Sequence, residues 1–205
     1  MKTFAIVPVK ELDKAKSRLS SVFKPEERSG LLLAMLGDVL SALTDVTSIV
    51  ISPEELSLHL PGDRTIFLLD RGGKGLNDAV KAANKHAIKL GASATLFVPA
   101  DMPLITRQEV EEVLDLGKKY NVIITHATDG GTGILYRRPP DVMESRFTRN
   151  SFQDHQKEAR RKRITMFVHD SLSLSLDIDT LEDIHRFMER GKGTRTYEFL
   201  RECGF

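Results

Sequence analysis

The 205-residue sequence contains one cysteine, Cys203, and no tryptophan. A single cysteine excludes an internal disulfide framework and any metal site made of clustered thiolates. The 30 basic and 29 acidic residues almost cancel, so the basic excess that is typical of nucleic-acid-binding proteins is missing. We therefore expect neither a secreted disulfide scaffold nor a nucleic-acid partner.

Long hydrophobic runs are missing as well. The first apolar run, residues 4–9, is interrupted by Pro8 and followed by charged residues. A secretory signal needs about 7–15 apolar residues and a membrane-spanning helix needs about 20. We therefore expect a cytoplasmic protein with no membrane partner. Because a typical domain has about 150 residues, the length indicates one domain that covers residues 1–205.

Short apolar segments alternate with longer amphipathic segments along the first two thirds of the chain. The short ones are rich in β-branched residues and are bounded by proline, glycine, aspartate or asparagine, which is typical of buried strands. The longer ones repeat apolar residues at helical spacing. This alternation predicts a three-layer α/β/α fold with a mostly parallel sheet. The predicted strands cover residues 3–7, 48–51, 65–69, 94–98 and 122–125.

The predicted helices and the last third of the chain complete this picture. Pro25 opens the first helix, residues 76–90 form the second, and Thr106 caps the third. Beyond these, the pattern predicts a strand at 134–137 and a polar, arginine-rich helix at 150–163. Two apolar runs, 164–168 and 172–176, indicate a hairpin that extends the sheet. A final helix contains Leu181, Ile184, Phe187 and Met188.

Four basic residues follow the first predicted strand. In open α/β sheets, ligands bind beyond the carboxyl ends of the strands, where Lys10, Lys14, Lys16 and Arg18 are expected to lie. Several cations in such a loop favour a polyphosphate, with arginine able to make a bidentate contact. The alternative is a solvated helix face on which acidic neighbours balance the lysines. Neither a GxxxxGK[ST] nor a GxGxxG motif occurs, which disfavours a P-loop protein or a hydride-transfer enzyme.

A glycine-rich turn, residues 70–76, follows the third predicted strand. Its glycines let the backbone approach a ligand, and the helix that starts at Leu76 attracts anions to its N-terminus. Asn77 offers one amide donor and one carbonyl acceptor, which suits the edge of a nucleobase. The alternative is a glycine-rich turn that only reverses the chain and binds no ligand.

Acidic residues stand at two separate points of the chain. Asp101 lies between Pro99 and Pro103 just after the fourth predicted strand, where a capping role explains it poorly. Mg²⁺ takes oxygen ligands, often one or two carboxylates together with substrate phosphates. Asp177 and Asp179 are two residues apart on an extended segment, so their side chains project to the same side. A helix cap is the alternative role for Asp179, but the combination with Asp101 favours a metal site.

Five segments together resemble the 2-phospho-L-lactate guanylyltransferase family: PVKELDKAKSRL, GLNDAV, PADMPL, DGGTG and LDIDT. Other sugar-nucleotide enzymes carry glycine in the first loop, whereas this loop has none. The resemblance implies a nucleotide-diphospho-sugar transferase-like, Rossmann-like fold with a β-hairpin extension. It also implies that GTP and 2-phospho-L-lactate react to give lactyl-2-diphospho-5'-guanosine and pyrophosphate, a step in coenzyme F420 biosynthesis, and that the enzyme is a homodimer.

The resemblance also implies roles for individual residues. Where the family has FGxxS, this sequence has Thr148 in place of the glycine, which puts close backbone approach to the acceptor in question. His155 matches a histidine of the family, or else is an ordinary residue on a helix surface. The implied catalytic residues are Lys16, Arg18 and Asp101, and the implied Mg²⁺ ligands are Asp101, Asp177 and Asp179. The implied nucleotide-binding residues are Pro8, Val9, Lys10, Gly75, Leu76 and Asn77, and the acceptor-binding residues are Thr132, Thr148 and Ser151.

The residue types agree with this chemistry on an independent point. A phosphate monoester has a second pKa of about 6, so the acceptor is mostly dianionic at pH 7 and needs no general base. The sequence shows no obvious Ser–His–Asp or Cys–His constellation, so catalysis would consist of positioning and charge neutralisation. Guanylyl transfer to phosphoenolpyruvate, nucleotidyl transfer to a sugar phosphate, and a non-catalytic nucleotide-binding module remain as alternatives.

Overall fold

Seven strands form one sheet in the computed structural model, which describes residues 2–56, 64–127 and 130–205. In chain order they are β1 (Thr3–Pro8), β2 (Thr47–Ser52), β3 (Thr65–Leu69), β4 (Ala94–Phe97), β5 (Val122–His126), β6 (Thr132–Arg137) and β7 (Met166–Val168). Their order across the sheet is β3-β2-β1-β4-β6-β5-β7. Among the described strands β6 alone runs against its neighbours, β4 and β5, so the mostly parallel sheet is confirmed.

The hairpin extension is present, but it lies elsewhere than predicted. It is formed by β5 and β6, whereas β7 pairs in parallel with β5. The predicted strand at 172–176 is wrong, because this segment forms a turn. Its serines satisfy the backbone locally: Ser175 Oγ donates to the Ser171 carbonyl at 2.6 Å, and the Ser175 amide donates to the Leu172 carbonyl. Such local bonds compete with strand pairing.

Six α-helices cover the two faces of the sheet within the described ranges. On one face of the sheet, the first, third, fifth and sixth helices pack against one apolar layer. On the other face, the second and fourth helices pack against a second apolar layer, which confirms the three-layer prediction. No helix among the described residues is long and apolar enough to cross a membrane. The helices are α1 (Pro25–Ala42), α2 (Leu76–Lys89), α3 (Arg107–Leu116), α4 (Ser151–Arg161), α5 (Leu181–Met188) and α6 (Arg195–Glu202).

The last helix, α6, is absent from the sequence predictions. Thr194 caps it by accepting a hydrogen bond from the Tyr197 amide. Asp38 of α1 accepts from the Arg195 and Thr196 amides, both at 2.9 Å. This second cap comes from a residue more than 150 positions away, so local periodicity gave little sign of a helix here.

The sheet topology brings distant loops to one edge. The carboxyl ends of the parallel strands β1 and β4 lie there, and because β6 runs the other way its first residue, Thr132, lies at the same edge. The segment before α5 joins them: the Ile178 amide donates to the Asp101 carbonyl at 3.2 Å. Residues from the first loop, the β4 end, β6 and the chain before α5 therefore surround one cleft.

Candidate active site

A cleft of about 680 Å³ occupies this edge of the sheet. Every residue that the sequence predicts for the site lines it, except Asn77. These are Pro8, Val9, Lys10, Lys16, Arg18, Gly75, Leu76, Asp101, Thr132, Thr148, Ser151, Asp177 and Asp179. The structure thus brings both acidic segments, the basic loop, the glycine-rich turn and the hydroxyl residues of the acceptor prediction into one concave surface.

Three carboxylates form one end of the cleft. One oxygen from each of Asp101, Asp177 and Asp179 lies within 4.8 Å of the others. Burial, followed by the negative charges of Asp101 and Asp179, raises the pKa of Asp177 to about 6. A cation among the three carboxylates would relieve this repulsion. Hard oxygen ligands of this kind suit a divalent cation such as Mg²⁺, and the cluster fits one.

Lys16 is the protein's own cation at this cluster. Its Nζ donates to Asp101 Oδ2 at 2.6 Å and to Asp179 Oδ1 at 2.7 Å. The side chain is 5% exposed, and although burial alone would lower its pKa, the two carboxylates raise the pKa overall. For the carboxyl of Asp179 burial acts in the opposite direction and would raise the pKa, but the Lys16 charge lowers this pKa overall. The ammonium is therefore held in its charged state at the acidic end of the cleft.

The backbone at Lys16 is unusual. It has φ 48° and ψ 41°, the left-handed region that residues with a Cβ rarely adopt. The bend lies between two short 3₁₀ turns, Leu12–Lys14 and Ser17–Leu19. Strained backbone of this kind tends to occur at functional sites, where surrounding contacts maintain it. Here the two carboxylate contacts of the side chain are such a constraint.

The four predicted cations of the first loop have different surroundings; Lys10 is exposed and borders the cleft. Arg18 is 68% exposed and makes a long contact, 3.3 Å, from its guanidinium to Asp179 Oδ2. Lys14 is exposed and pairs with Glu11. Lys16 and Arg18 thus match the phosphate-binding interpretation, while Lys14 matches the solvated-face alternative even though it also borders the cleft.

The capping alternative for Asp179 is not what the structure shows. Thr180 is the N-cap of α5 and accepts from the Asp183 amide, and the Asp183 side chain accepts from the Thr180 amide at 2.8 Å. The Asp179 side chain instead contacts Lys16 and Arg18. Thr180 and Asp183 therefore cap α5, and the Asp179 side chain belongs to the acidic cluster.

The glycine-rich turn leads into α2 and lines the cleft. Gly75 has φ 124°, a conformation that disfavours any residue with a Cβ. Asn77, on the first turn of α2, is engaged on both sides: it accepts from the Phe147 amide at 2.8 Å and donates to the Phe147 carbonyl at 3.3 Å. Its amide therefore links this turn to the loop before α4, whereas Gly75 and Leu76 line the cleft.

Hydroxyl groups form the other end of the cleft. Thr132 begins β6 and Ser151 begins α4, and their Oγ atoms lie 2.9 Å apart. His155, one helical turn after Ser151, places Nδ1 3.0 Å from Thr132 Oγ1 and is 0% exposed. The helix-surface alternative for His155 is therefore wrong. Burial, and then the Arg137 charge, lower the pKa of His155 to about 4.

Thr148 does not need the conformation of the glycine it replaces. The described non-glycine residues with positive φ are Lys16 and Arg163, so Thr148 has an ordinary backbone. Its hydroxyl donates to Asp154 Oδ2 at 2.7 Å, on the first turn of α4. The side chain is thus turned toward the helix.

Two residues that interact with His155 were missed by sequence reasoning; Phe147 lines the cleft, whereas Arg137 does not. Phe147 packs against Phe97 in a tilted arrangement with ring centroids 4.2 Å apart, and it also contacts the His155 ring. Arg137 ends β6 and is 3% exposed; it donates to Asn84 Oδ1 at 3.0 Å, and burial lowers its pKa to about 10. A charged residue that ends an apolar strand, as in ILYR, was the available signal for Arg137.

Comparisons with known proteins place this cleft in context. The family model described as "Guanylyl transferase CofC like" matches residues 3–205. The 2-phospho-L-lactate guanylyltransferase of Methanothermobacter thermautotrophicus is 38% identical, with 100% of this chain and 92% of the relative covered. The enzyme of the same name from Methanocaldococcus vulcanius is 34% identical, with 97% of this chain and 90% of the relative covered.

Solved structures confirm the predicted fold. A protein of Desulfovibrio desulfuricans G20, assigned to the nucleotide-diphospho-sugar transferases, has a TM-score of 0.83 at 23% identity, covering 98% of this chain and 95% of the other. CMP:2-keto-3-deoxy-manno-octonic acid synthetase, complexed with CTP, has a TM-score of 0.57 at 14% identity, covering 93% and 100%. Rv0371c of Mycobacterium tuberculosis, in complex with manganese, has a TM-score of 0.57 at 16% identity, covering 93% and 100%.

Proposed function

Because the chain belongs to the CofC-like guanylyl transferase family, we propose that it joins GTP to 2-phospho-L-lactate, giving lactyl-2-diphospho-5'-guanosine and pyrophosphate. The observation that carries this proposal is the arrangement of the cleft. A buried ammonium and three carboxylates stand at one end, and paired hydroxyls stand at the other. This arrangement suits two different anions that must be brought together.

The reaction needs one bond to form and one to break. A phosphate oxygen of the acceptor attacks the α-phosphorus of GTP, and the bond between that phosphorus and the bridging oxygen to the β-phosphorus breaks. The oxygen leaves with pyrophosphate. Since the acceptor phosphate has a second pKa of about 6, it is mostly dianionic at pH 7 and attacks without losing a proton to the protein. Positioning and charge neutralisation are then the work left to the enzyme.

Charge neutralisation falls to the acidic end of the cleft. Lys16 is held charged there and Arg18 lies at its rim, so both can donate charge-assisted hydrogen bonds to the triphosphate. Asp101, Asp177 and Asp179 would hold Mg²⁺, which when bound neutralises phosphate charge. Gly75 and Leu76 of the glycine-rich turn and Pro8, Val9 and Lys10 line the same cleft and are the proposed nucleotide-binding residues.

The acceptor is assigned to the opposite end. Thr132, Thr148 and Ser151 line the cleft there, and Ser151 is the first residue of α4. A hydroxyl proton of the Thr132–Ser151 pair and the N-terminal end of a helix both favour an anion, whereas the Thr148 proton is already donated to Asp154. A small acid that carries a carboxylate and a phosphate matches this end in charge.

Pyrophosphate release measures the proposed activity directly. Purified protein is incubated with GTP and Mg²⁺ together with 2-phospho-L-lactate, phosphoenolpyruvate or a sugar phosphate. We expect release with 2-phospho-L-lactate. Release with phosphoenolpyruvate alone would move the acceptor assignment to that compound, release with the sugar phosphate alone would contradict it, and no release with any acceptor would favour the non-catalytic module.

The cellular setting is proposed with the reaction. The product belongs to coenzyme F420 biosynthesis, and we expect the protein to act in the cytoplasm as a homodimer. Light scattering of the purified protein tests the dimer, for which a mass near twice the 23.0 kDa of the chain is expected.

A further inference from the structure

His155, on α4, contacts two neighbouring parts of the chain: strand β6 and the loop before α4. Its Nε2 accepts a hydrogen bond from the Arg146 amide at 2.8 Å, and its Nδ1 lies 3.0 Å from Thr132 Oγ1. A backbone N–H can only donate, so Nε2 must carry no proton. A neutral imidazole then has its proton on Nδ1. Nδ1–H is therefore the donor to the Thr132 hydroxyl oxygen.

The surroundings keep the ring in this neutral form. His155 is 0% exposed, and the nearby Arg137 guanidinium is itself 3% exposed. Both burial and this positive charge oppose a second proton on the ring. The direction of the hydrogen bond to Thr132 is thus fixed by the Arg146 amide on one side of the ring and by the ring's neutrality.

The bond from His155 prevents Thr132 from donating its own proton to the ring. Thr132 Oγ1 accepts from His155 and still has its own proton, for which Ser151 Oγ lies at 2.9 Å. If Thr132 donates to Ser151, the Ser151 proton becomes the end of the chain of hydrogen bonds. Ser151 and Thr132 both border the cleft, so this proton is available to a ligand there.

We propose that His155 is a positioning residue that orients the Thr132 and Ser151 hydroxyls so that Ser151 presents a hydrogen-bond donor to the anionic acceptor. Without the Nδ1 donor, Thr132 could donate its proton to the ring and accept from Ser151, which would leave neither hydroxyl proton for the anion. The inference rests on the proposed function, since it assigns the acceptor to this end. It adds a determinant of acceptor binding that touches no substrate itself.

Two conservative variants separate this role from simple packing. In His155→Asn the side-chain amide nitrogen can take the place of Nδ1 and keep the donor to Thr132, while the acceptor for the Arg146 amide is lost. In His155→Gln the longer side chain can place its carbonyl oxygen near Nε2 and keep that acceptor, while the donor to Thr132 is lost. Each variant therefore retains one of the two hydrogen bonds.

Steady-state kinetics and melting temperatures of both variants test the proposal, with Ser151→Ala and the double variant His155→Gln/Ser151→Ala as references. We expect His155→Gln to raise KM for 2-phospho-L-lactate by about tenfold, the effect of one hydrogen bond to a charged group, with KM for GTP little changed. His155→Asn should stay close to wild type in this parameter. Ser151→Ala should raise KM similarly, and the double variant should add little, because both changes act on one donor.

Several results would overturn the inference. These are equal effects of the Asn and Gln variants, a parallel rise of KM for GTP, or additive effects in the double variant. A loss of melting temperature that follows the loss of activity in both variants would indicate packing alone. If the wild-type protein turns over none of the acceptors, the proposed function fails and the inference fails with it. If the wild type is active and the variants behave alike, the inference alone fails.

Discussion

The two ends of the cleft handle their ligands by different means. At the acidic end, charged groups meet directly: Lys16 contacts Asp101 and Asp179 at 2.6 and 2.7 Å. At the acceptor end, neutral groups in a buried chain of hydrogen bonds join His155, Thr132 and Ser151. A triphosphate can be held largely by charge, whereas a small acid must be oriented by directional donors. The difference indicates that nucleotide affinity and acceptor geometry are set by separate parts of the molecule.

The acidic end is tested most strongly by Asp101→Asn. This variant removes one carboxylate of the cluster and one partner of Lys16 while keeping the size of the side chain. We expect kcat to fall by about a thousandfold or more, since charge stabilisation of the reacting phosphates is the main catalytic contribution here. The melting temperature should change little, because Lys16 keeps Asp179 as a partner.

Pyrophosphate release and a thermal unfolding curve check this prediction together. A near-normal rate at ordinary Mg²⁺ concentrations would contradict the metal assignment. A large fall in melting temperature would instead assign Asp101 a structural role.

The neutral end is tested by the pH dependence of stability. The folded-state pKa of His155 is about 4, below its ordinary value of 6.5, so the unfolded chain takes up this proton first as the pH falls. The stability that comes from keeping the ring neutral is present above about pH 6.5 and is lost as the pH falls toward 4. The expected loss is about 3 kcal/mol of unfolding free energy.

The difference between wild type and His155→Gln in denaturant unfolding at pH 7, 6, 5 and 4 measures this loss, because protonation of Asp177, whose pKa is raised to about 6, stabilises both proteins over the same range. The fall should be smaller in His155→Gln, which has no group that titrates at this position. Equal pH dependence in wild type and variant would show that the ring is not held neutral, and the contrast between the two ends would weaken.

The basic loop is tested by comparing Lys16→Ala with Arg18→Ala. Lys16 is buried against two carboxylates, whereas Arg18 is mostly exposed, so the two should differ. We expect kcat/KM for GTP to fall by about a hundredfold for Lys16→Ala and by about tenfold for Arg18→Ala. Lys14→Ala, with its partner Glu11 in the same loop, is the matched control and should have little effect. Unchanged GTP kinetics in both Lys16→Ala and Arg18→Ala would contradict the phosphate-binding role and favour the solvated-face alternative for the whole loop.

The junction between the two ends is tested by Asn77→Ala. Asn77 holds the Phe147 backbone through two hydrogen bonds, and Phe147 precedes the acceptor residues. We expect KM for 2-phospho-L-lactate to rise by about five- to tenfold, while the preference for GTP over ATP stays unchanged. Asn77→Asp keeps the acceptor for the Phe147 amide and should lose less. Competition assays with GTP and ATP measure this preference. A reduced preference for GTP in Asn77→Ala would indicate that Asn77 itself recognises the guanine base.

The sequence predicted the acidic end better than the acceptor end, for a physical reason. Asp101 stands at a strand end and Asp177 and Asp179 stand two residues apart, and both are local patterns. The hydrogen-bond chain joins residues that are 19 and 23 positions apart, and the tautomer of its histidine depends on a backbone amide in a loop. Nothing in local spacing reports such a direction.

The same distinction explains the fold predictions. Strands β1 to β6 were located from their apolar runs, because those runs are buried in the sheet. The run at 172–176 has buried leucines too, but its serine hydroxyls bind the backbone locally and produce a turn. Helix α6 was missed because Asp38, from a different helix, completes its cap.

The most direct measurement is identification of the product. Wild-type protein and Asp101→Asn are incubated side by side with GTP, Mg²⁺ and 2-phospho-L-lactate, and the mixtures are analysed by mass spectrometry. The account predicts lactyl-2-diphospho-5'-guanosine and equimolar pyrophosphate from the wild type, with almost none from the variant. Absence of this compound from the wild-type mixture, or equal amounts from both proteins, would contradict it.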